Sequence, residues 1–241
     1  RDAAVRSAAL SATFLLVHAA AKELDIDPDE FDVIEPRLYR PDGGGEVPIL
    51  QISDRLLNGA GFCERLATRD ASGRPLVASL IDRMLTNEEE YPLQDLQQDD
   101  HREKCDQACY RCLRRYNNQT YHGLLDWRLG LAFLELLRDP TFACGLNGHF
   151  AGPALSDWQL WSYRYAQQIA RFSNQSEVIE SVEGLVAFRL KDFDHWALVV
   201  HPLWDIQQLP GIVGQAYDAL DAPGRRIALV NTFDLARRQV R

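Results

Sequence analysis

Apolar side chains recur at helical spacing from Asp2 to Leu24, predicting a first helix that ends in AKELDI. FDVIEPRLYR then reads as a strand with Val33 and Ile34 near its centre. PDGGGEV supplies the Pro, Asp and Gly positions of a hairpin turn, and VPILQISD returns as the partner strand. In DRLLNGAGFCERLA the Asn58-Gly59-Ala60-Gly61 turn leads into a second helix. Residues 75–85 are amphipathic, with Pro75 at the helix start. Residues 88–100 are acidic, Gln-rich and poor in apolar side chains, and are expected to be a solvated linker. A clear periodicity returns after residue 112: Leu124, Trp127, Leu131, Leu134 and Leu137 share one face of a helix that Asp139-Pro140 stops.

GLNGHFAGP, residues 145–153, marks a glycine-rich domain boundary. Beyond it the pattern predicts helix (156–172), strand (184–190), strand (196–201), helix (211–221), strand (226–231) and a short helix (232–238). The expected fold class is α/β: an α+β zinc-binding domain over residues 1–145, then a small α/β domain over 150–241. The second domain is read as an interaction module or a degenerate nuclease-like one.

The 241 residues are 46% hydrophobic and a quarter charged, enough to bury a core without disulfides. Residues 8–21 are apolar but short and contain His18, so they are read as a buried helix; neither a membrane span nor a membrane partner is expected. The chain begins on Arg1 and ends on a charged helix, and is expected to be a piece of a larger protein. A net charge of −9 argues against a stand-alone nucleic-acid binder, so any DNA contact must be local.

Five cysteines, three of them inside CDQACYRC, fit a reducing compartment and a metal site better than a disulfide framework. Cys109-Tyr-Arg-Cys112 forms a knuckle that can hold one ion, and Cys105 lies about one turn away. Zinc in structural sites takes four ligands, commonly thiolates. The candidates for the fourth are Cys63, Cys144, His101 and His122; Cys63 is preferred because it is a thiolate and follows a close-approach glycine turn. A redox CxxC would expect a preceding strand, which Cys109 lacks. A site of three or four thiolates is closed, so no catalysis is assigned to it.

Four features resemble the MrfA-type zinc-binding (MZB) domain found at the C-terminal end of bacterial superfamily 2 helicases and in the DrmB protein of the DISARM phage-defence system. They are AKELDIDPDEFDV, ILQISDRLLNGAGFCERL, the CxxxCxxCL cluster and YNNQTYHGLLDWRLGL, in that order over residues 10–137. The resemblance implies Zn2+ on Cys63, Cys105, Cys109 and Cys112. It also implies service to a DNA-translocating machine in the bacterial cytoplasm, for repair or defence, with a helicase motor domain or subunit and single-stranded DNA as partners. The chain has no GxxxxGK[ST] loop and no DExH box, so by itself it is not expected to hydrolyse ATP.

Around the cluster, Arg102, Lys104, Arg111, Arg114, Arg115 and Arg128 are interleaved with Tyr110, Tyr116 and Tyr121. Phosphate contact with base stacking is one reading and a charged surface around a metal knuckle the other; Arg111, Arg114 and Arg115 are the candidate nucleic-acid contacts. Asn117, Asn118, Gln119 and His122 are read as capping and packing groups. The alternative function is a metal-dependent nuclease using carboxylates in residues 177–205, where Glu183, Asp192, Asp194 and His201 occur without the usual spacing.

Overall fold

The computed structural model describes residues 2–40, 47–56, 58–173, 176–190 and 195–238, which divide into two compact units at Phe142/Ala143. Both helices and sheets are present, as the expected α/β class requires.

The first unit is built on α1 (Asp2–Leu24). Its length and composition would suffice to cross a membrane, which the shorter apolar stretch 8–21 understates, but 83% of its most apolar window is buried inside the chain's own fold. Apolar residues lie on all its sides, and buried Ser7, Ser11 and Thr13 find partners: Ser7 Oγ donates to the Leu124 carbonyl and Thr13 Oγ1 to Ala9. Helix α6 (Trp127–Arg138) crosses α1 closely, because Gly130 removes the side chain that would press on Ser11 and Leu15; a Cβ there would lie 3.0 Å from both. Asp126 caps α6 through the N–H groups of Arg128 and Leu129, and its own N–H donates to Ser11 Oγ at 2.8 Å.

Strands β1 (Phe31–Tyr39) and β2 (Val47–Asp54) pair antiparallel, with a bulge between Ile34 and Arg37. The expected turn, residues 41–46, lies outside the described residues. Helices α2 (Phe62–Ala67) and α3 (Leu76–Thr86) follow as predicted, the latter entered from Pro75. Residues 88–100 are not a solvated linker. They carry α4 (Leu93–Leu96) and open α5 (Asp99–Lys104), with Leu93 and Leu96 fully buried. A few well-placed apolar side chains outweigh an acidic average.

The second unit begins earlier than the glycine pattern suggests. Residues 143–153 belong to it: Phe150 stacks on Trp158 with ring centres 5.1 Å apart, and the Leu146 carbonyl accepts from Ile212 N–H. Its elements are α7 (Trp158–Ser173), β3 (Ser176–Val182), β4 (Leu185–Leu190), β5 (His195–Val200), α8 (Gly211–Leu220), β6 (Arg226–Asn231) and α9 (Thr232–Arg238). All but β3 match the predicted pattern. The sheet runs β3-β4-β5-β6, antiparallel except for β5 and β6, which the α8 crossover makes parallel. Val186, Phe188, Ala197 and Val199 pack against Trp161 and Tyr165 of α7 and Leu235 of α9. The alternate residues Leu185, Ala187, Leu198 and Val200 are buried as well, so both faces are covered.

His201 lies in this core among Trp158 and Trp204, its Nδ1 accepting from Leu203 N–H and 3.4 Å from Cys144 Sγ. Burial lowers its pKa to about 3 and pushes the Cys144 thiol up to about 12, so the pair is neutral and holds no thiolate. The unfolded state therefore binds more protons below its ordinary pKa. Stability of this unit should be unaffected by His201 above pH 6.5 and should fall on acidification from there toward pH 3, with a slope approaching about 1.4 kcal/mol per pH unit. Urea unfolding across pH measures it, and His201→Phe should flatten that slope even if it lowers the absolute stability.

Candidate metal centre

Helix α5 is short and polar, but it places His101 and Cys105 four residues apart on one face. Cys105 caps the helix, its N–H donating to the His101 carbonyl at 2.8 Å. The chain then loops through Asp106, Gln107 and Ala108 into a tight knuckle. There the Cys109 carbonyl accepts from the N–H groups of Cys112 and Arg114, and the Cys109 N–H points at Cys112 Sγ, 3.1 Å away.

These turns bring the donor atoms of His101, Cys105, Cys109 and Cys112 within 4.8 Å of one another. Cys112 Sγ lies 3.9 Å from Cys105 Sγ and 3.8 Å from Cys109 Sγ. Bonds of about 2.3 Å meeting at a tetrahedral angle separate their sulfurs by about 3.8 Å, so these spacings fit the edges of a four-coordinate thiolate site. His101, Cys105 and Cys112 are buried, and Cys109 is half-buried. The four residues can hold a metal ion.

The imidazole supplies the most telling detail. His101 Nδ1 lies 3.3 Å from the Leu96 carbonyl, which can only accept, so Nδ1 carries the proton and Nε2 the lone pair. Nε2 is buried and has no hydrogen-bond partner. A carbonyl that fixes the tautomer and leaves the other nitrogen free is how histidine is prepared for a metal. The sulfurs point the same way. Cys112 is pulled below the usual thiol range, the Cys105 thiol being the largest cause, with the Cys109 N–H adding to it against burial. Cys105 is pushed up by the same contact and by burial.

The start of α6 buttresses this loop. Trp127 Nε1 donates to the Cys105 carbonyl, and its ring packs 5.6 Å from that of His101. Arg128 is buried, lies 4.0 Å over the Trp127 ring, and donates to the carbonyls of Cys105, Asp106 and Arg102. Contrary to the expectation from sequence, Arg128 is therefore no surface cation but a structural brace. Asp-Trp-Arg immediately after the cluster is visible in the sequence, but nothing there shows its indole and guanidinium turned back onto the loop.

Cys63, expected as the fourth ligand, lies outside the gathered group, at the start of α2, where its N–H donates to Asp54 Oδ1 at 2.8 Å and its thiol to the Ile52 carbonyl. Asp54 also accepts from Ala60, Gly61 and Phe62, with Gly59 and Gly61 at φ 68° and 80°. A carboxylate from the chain itself thus fills the anion position of this helix start. Burial and Asp54 raise the Cys63 pKa to about 11, away from thiolate. His122 is also elsewhere: its Nε2 donates to the Arg115 carbonyl and Asn118 Oδ1, while Asn118 caps the turn at Arg115 N–H. Cys144 belongs to the second unit.

Of the candidate nucleic-acid contacts, Arg111 is exposed but engaged by Asp100 and Gln98 at 2.6 and 2.9 Å. Arg114 and Arg115 are half-buried, and Arg115 donates to the carbonyls of Tyr110 and Arg114. Tyr110 and Tyr116 are exposed, at 64% and 86%. In the second unit, Glu183 sits exposed in the β3–β4 turn at φ 49°, and Asp192 and Asp194 lie outside the described residues. Among the described residues no carboxylate cluster suited to a nuclease metal is gathered there.

Comparison of the chain with protein-family models, with curated proteins and with solved structures finds no match. The metal centre therefore rests on the chain's own donor geometry.

Purified chain should carry about one equivalent of metal by elemental analysis, and Cys63→Ser should retain it. His101→Ala and Cys109→Ser should each fall below about half an equivalent. Loss on Cys63→Ser with retention on His101→Ala would reverse the assignment of the fourth ligand.

Proposed function

We propose that the chain is a zinc-stapled, non-catalytic accessory region of a bacterial DNA helicase or of a DISARM-type phage-defence protein, acting in the cytoplasm. The observation that supports it most is the convergence of three cysteines with a histidine whose free Nε2 is buried and aimed by the Leu96 carbonyl. Three thiolates and an imidazole suit zinc, a borderline-soft ion with no geometric demand of its own. Four protein donors leave no open position, so the ion would supply folding free energy rather than reactivity. The order of motifs over residues 10–137 supports the MZB-like assignment, with the difference that His101 takes the place given there to Cys63.

Within such a machine the metal loop would join α1 and α6 to a surface carrying Arg114, Arg115, Tyr110 and Tyr116. These residues fit the guiding of single-stranded DNA, a cation for each phosphate and exposed rings for base stacking. A partner subunit or motor domain is the other occupant consistent with the motif order.

Chelation should abolish the cooperative unfolding of residues 2–142 and leave the second unit's transition in place, as read by calorimetry. Binding to an oligodeoxythymidine should weaken with salt, and Arg114→Ala/Arg115→Ala should reduce the slope of log K against log salt by about 1.4, about 0.7 for each arginine–phosphate pair. Binding whose slope is unchanged in that variant would remove the DNA role from these arginines.

A further inference from the structure

A second feature of the first unit is independent of the metal ligands. A cleft of about 290 Å³ opens between α1 and the chain leading into α4, and its lining includes His18, Lys22, Tyr91, Asp95, Arg111 and Arg115. His18 and Arg115 also line a neighbouring cleft of about 340 Å³ beside β1. His18 is 8% exposed, and its Nδ1 donates to the Phe14 carbonyl at 2.8 Å, leaving the lone pair on Nε2. That Nε2 is buried and has no partner, and neither does the buried Tyr91 hydroxyl. Burial lowers His18 and raises Tyr91, so both are neutral, one an acceptor and the other a donor.

Two unsatisfied polar atoms along one cleft are costly unless something fills it. The charges around them state what kind of group fits. Lys22 Nζ sits 4.8 Å over the Tyr91 ring, and among the described residues neither Lys22 nor Arg115 has a carboxylate partner. Arg111 is engaged by Asp100 and Gln98, and Asp95 is the carboxylate on this lining. A locally cationic cleft with a hydroxyl donor, inside a chain of net charge −9, selects an anion rich in acceptors. The His18 lone pair adds a demand for one hydroxyl on the same ligand.

We propose that this cleft binds a phosphate group, with Lys22 and Arg115 neutralising its charge and the Tyr91 hydroxyl donating to one oxygen. His18 Nε2 accepts from a hydroxyl on the phosphorus or from a sugar hydroxyl beside it. The group belongs either to a soluble phosphate monoester or to the backbone of a nucleic-acid strand. The proposal does not depend on the identity of the metal.

The test titrates the full chain, metal-loaded, with inorganic phosphate, with adenosine monophosphate and with an oligodeoxythymidine, by calorimetry. Tyr91→Phe deletes a hydroxyl that has no internal partner, and Lys22→Gln alters an exposed side chain, so neither should disturb folding; Arg115→Gln completes the set. Saturable binding of phosphate or the mononucleotide, weakened about tenfold or more in Tyr91→Phe and Lys22→Gln, supports the site and assigns it to a soluble ligand. Binding of the oligonucleotide alone, weakened by the same two substitutions, supports it and assigns the phosphate to the strand. Absence of saturable binding by all three probes, or binding indifferent to both substitutions, overturns the proposal while leaving the metal site standing.

Discussion

Residues 101–112 contain too few apolar side chains to fold around themselves, yet three of their donors are buried and a fourth is half-buried. Thiolates so close together repel one another, and a buried imidazole nitrogen without a partner forfeits its hydration. A cation among these donors would relieve both costs, and their spacing is close enough to hold one. The remainder of the first unit is arranged around that loop. Helix α5 aligns His101 with Cys105, the knuckle turns Cys109 and Cys112 inward, and Trp127 and Arg128 hold the backbone of the loop from behind.

The buttress connects the loop to the core. Asp126 caps α6 and touches Ser11 of α1, and Gly130 lets the two helices approach at backbone distance. Loosening the loop would therefore free Trp127 and Arg128 and weaken the crossing on which α1 depends. Arg128 keeps its three carbonyl partners only while residues 102–106 hold their path. The loop that could hold a metal and the unit's apolar core are thus linked through shared contacts, so an ion bound there would act as a staple.

Much of this is legible in the sequence, and the failures have physical reasons. Elements with clear end signals stand out: Pro75 before α3, the Asn58-to-Gly61 turn before α2, and Asp139-Pro140 after α6. Strand β3 does not, because SEVIESV sets polar and apolar residues in doublets rather than in the strict alternation that marks a strand. Residues 88–100 resemble a linker because an average composition hides two leucines that are fully buried. The division falls at 142/143, close to the expected 145, but the glycines at 145, 148 and 152 mark turns within the second unit, where Phe150 packs, rather than a linker. At the candidate metal site the grouping of Cys105, Cys109 and Cys112 is legible from spacing alone. The placing of His101 among them is not, because preference for a like thiolate outweighs the His-x-x-x-Cys spacing that places His101 and Cys105 on one helical face. That spacing is the available signal.

The gathered donors are three sulfurs and one nitrogen, and X-ray absorption at the edge of a bound metal reads directly whether they hold it. For the zinc-loaded chain the predicted first shell is three sulfurs at about 2.3 Å and one imidazole nitrogen at about 2.0 Å, with the outer-shell scattering of a histidine ring. A shell of four sulfurs would contradict it and return Cys63 to the metal.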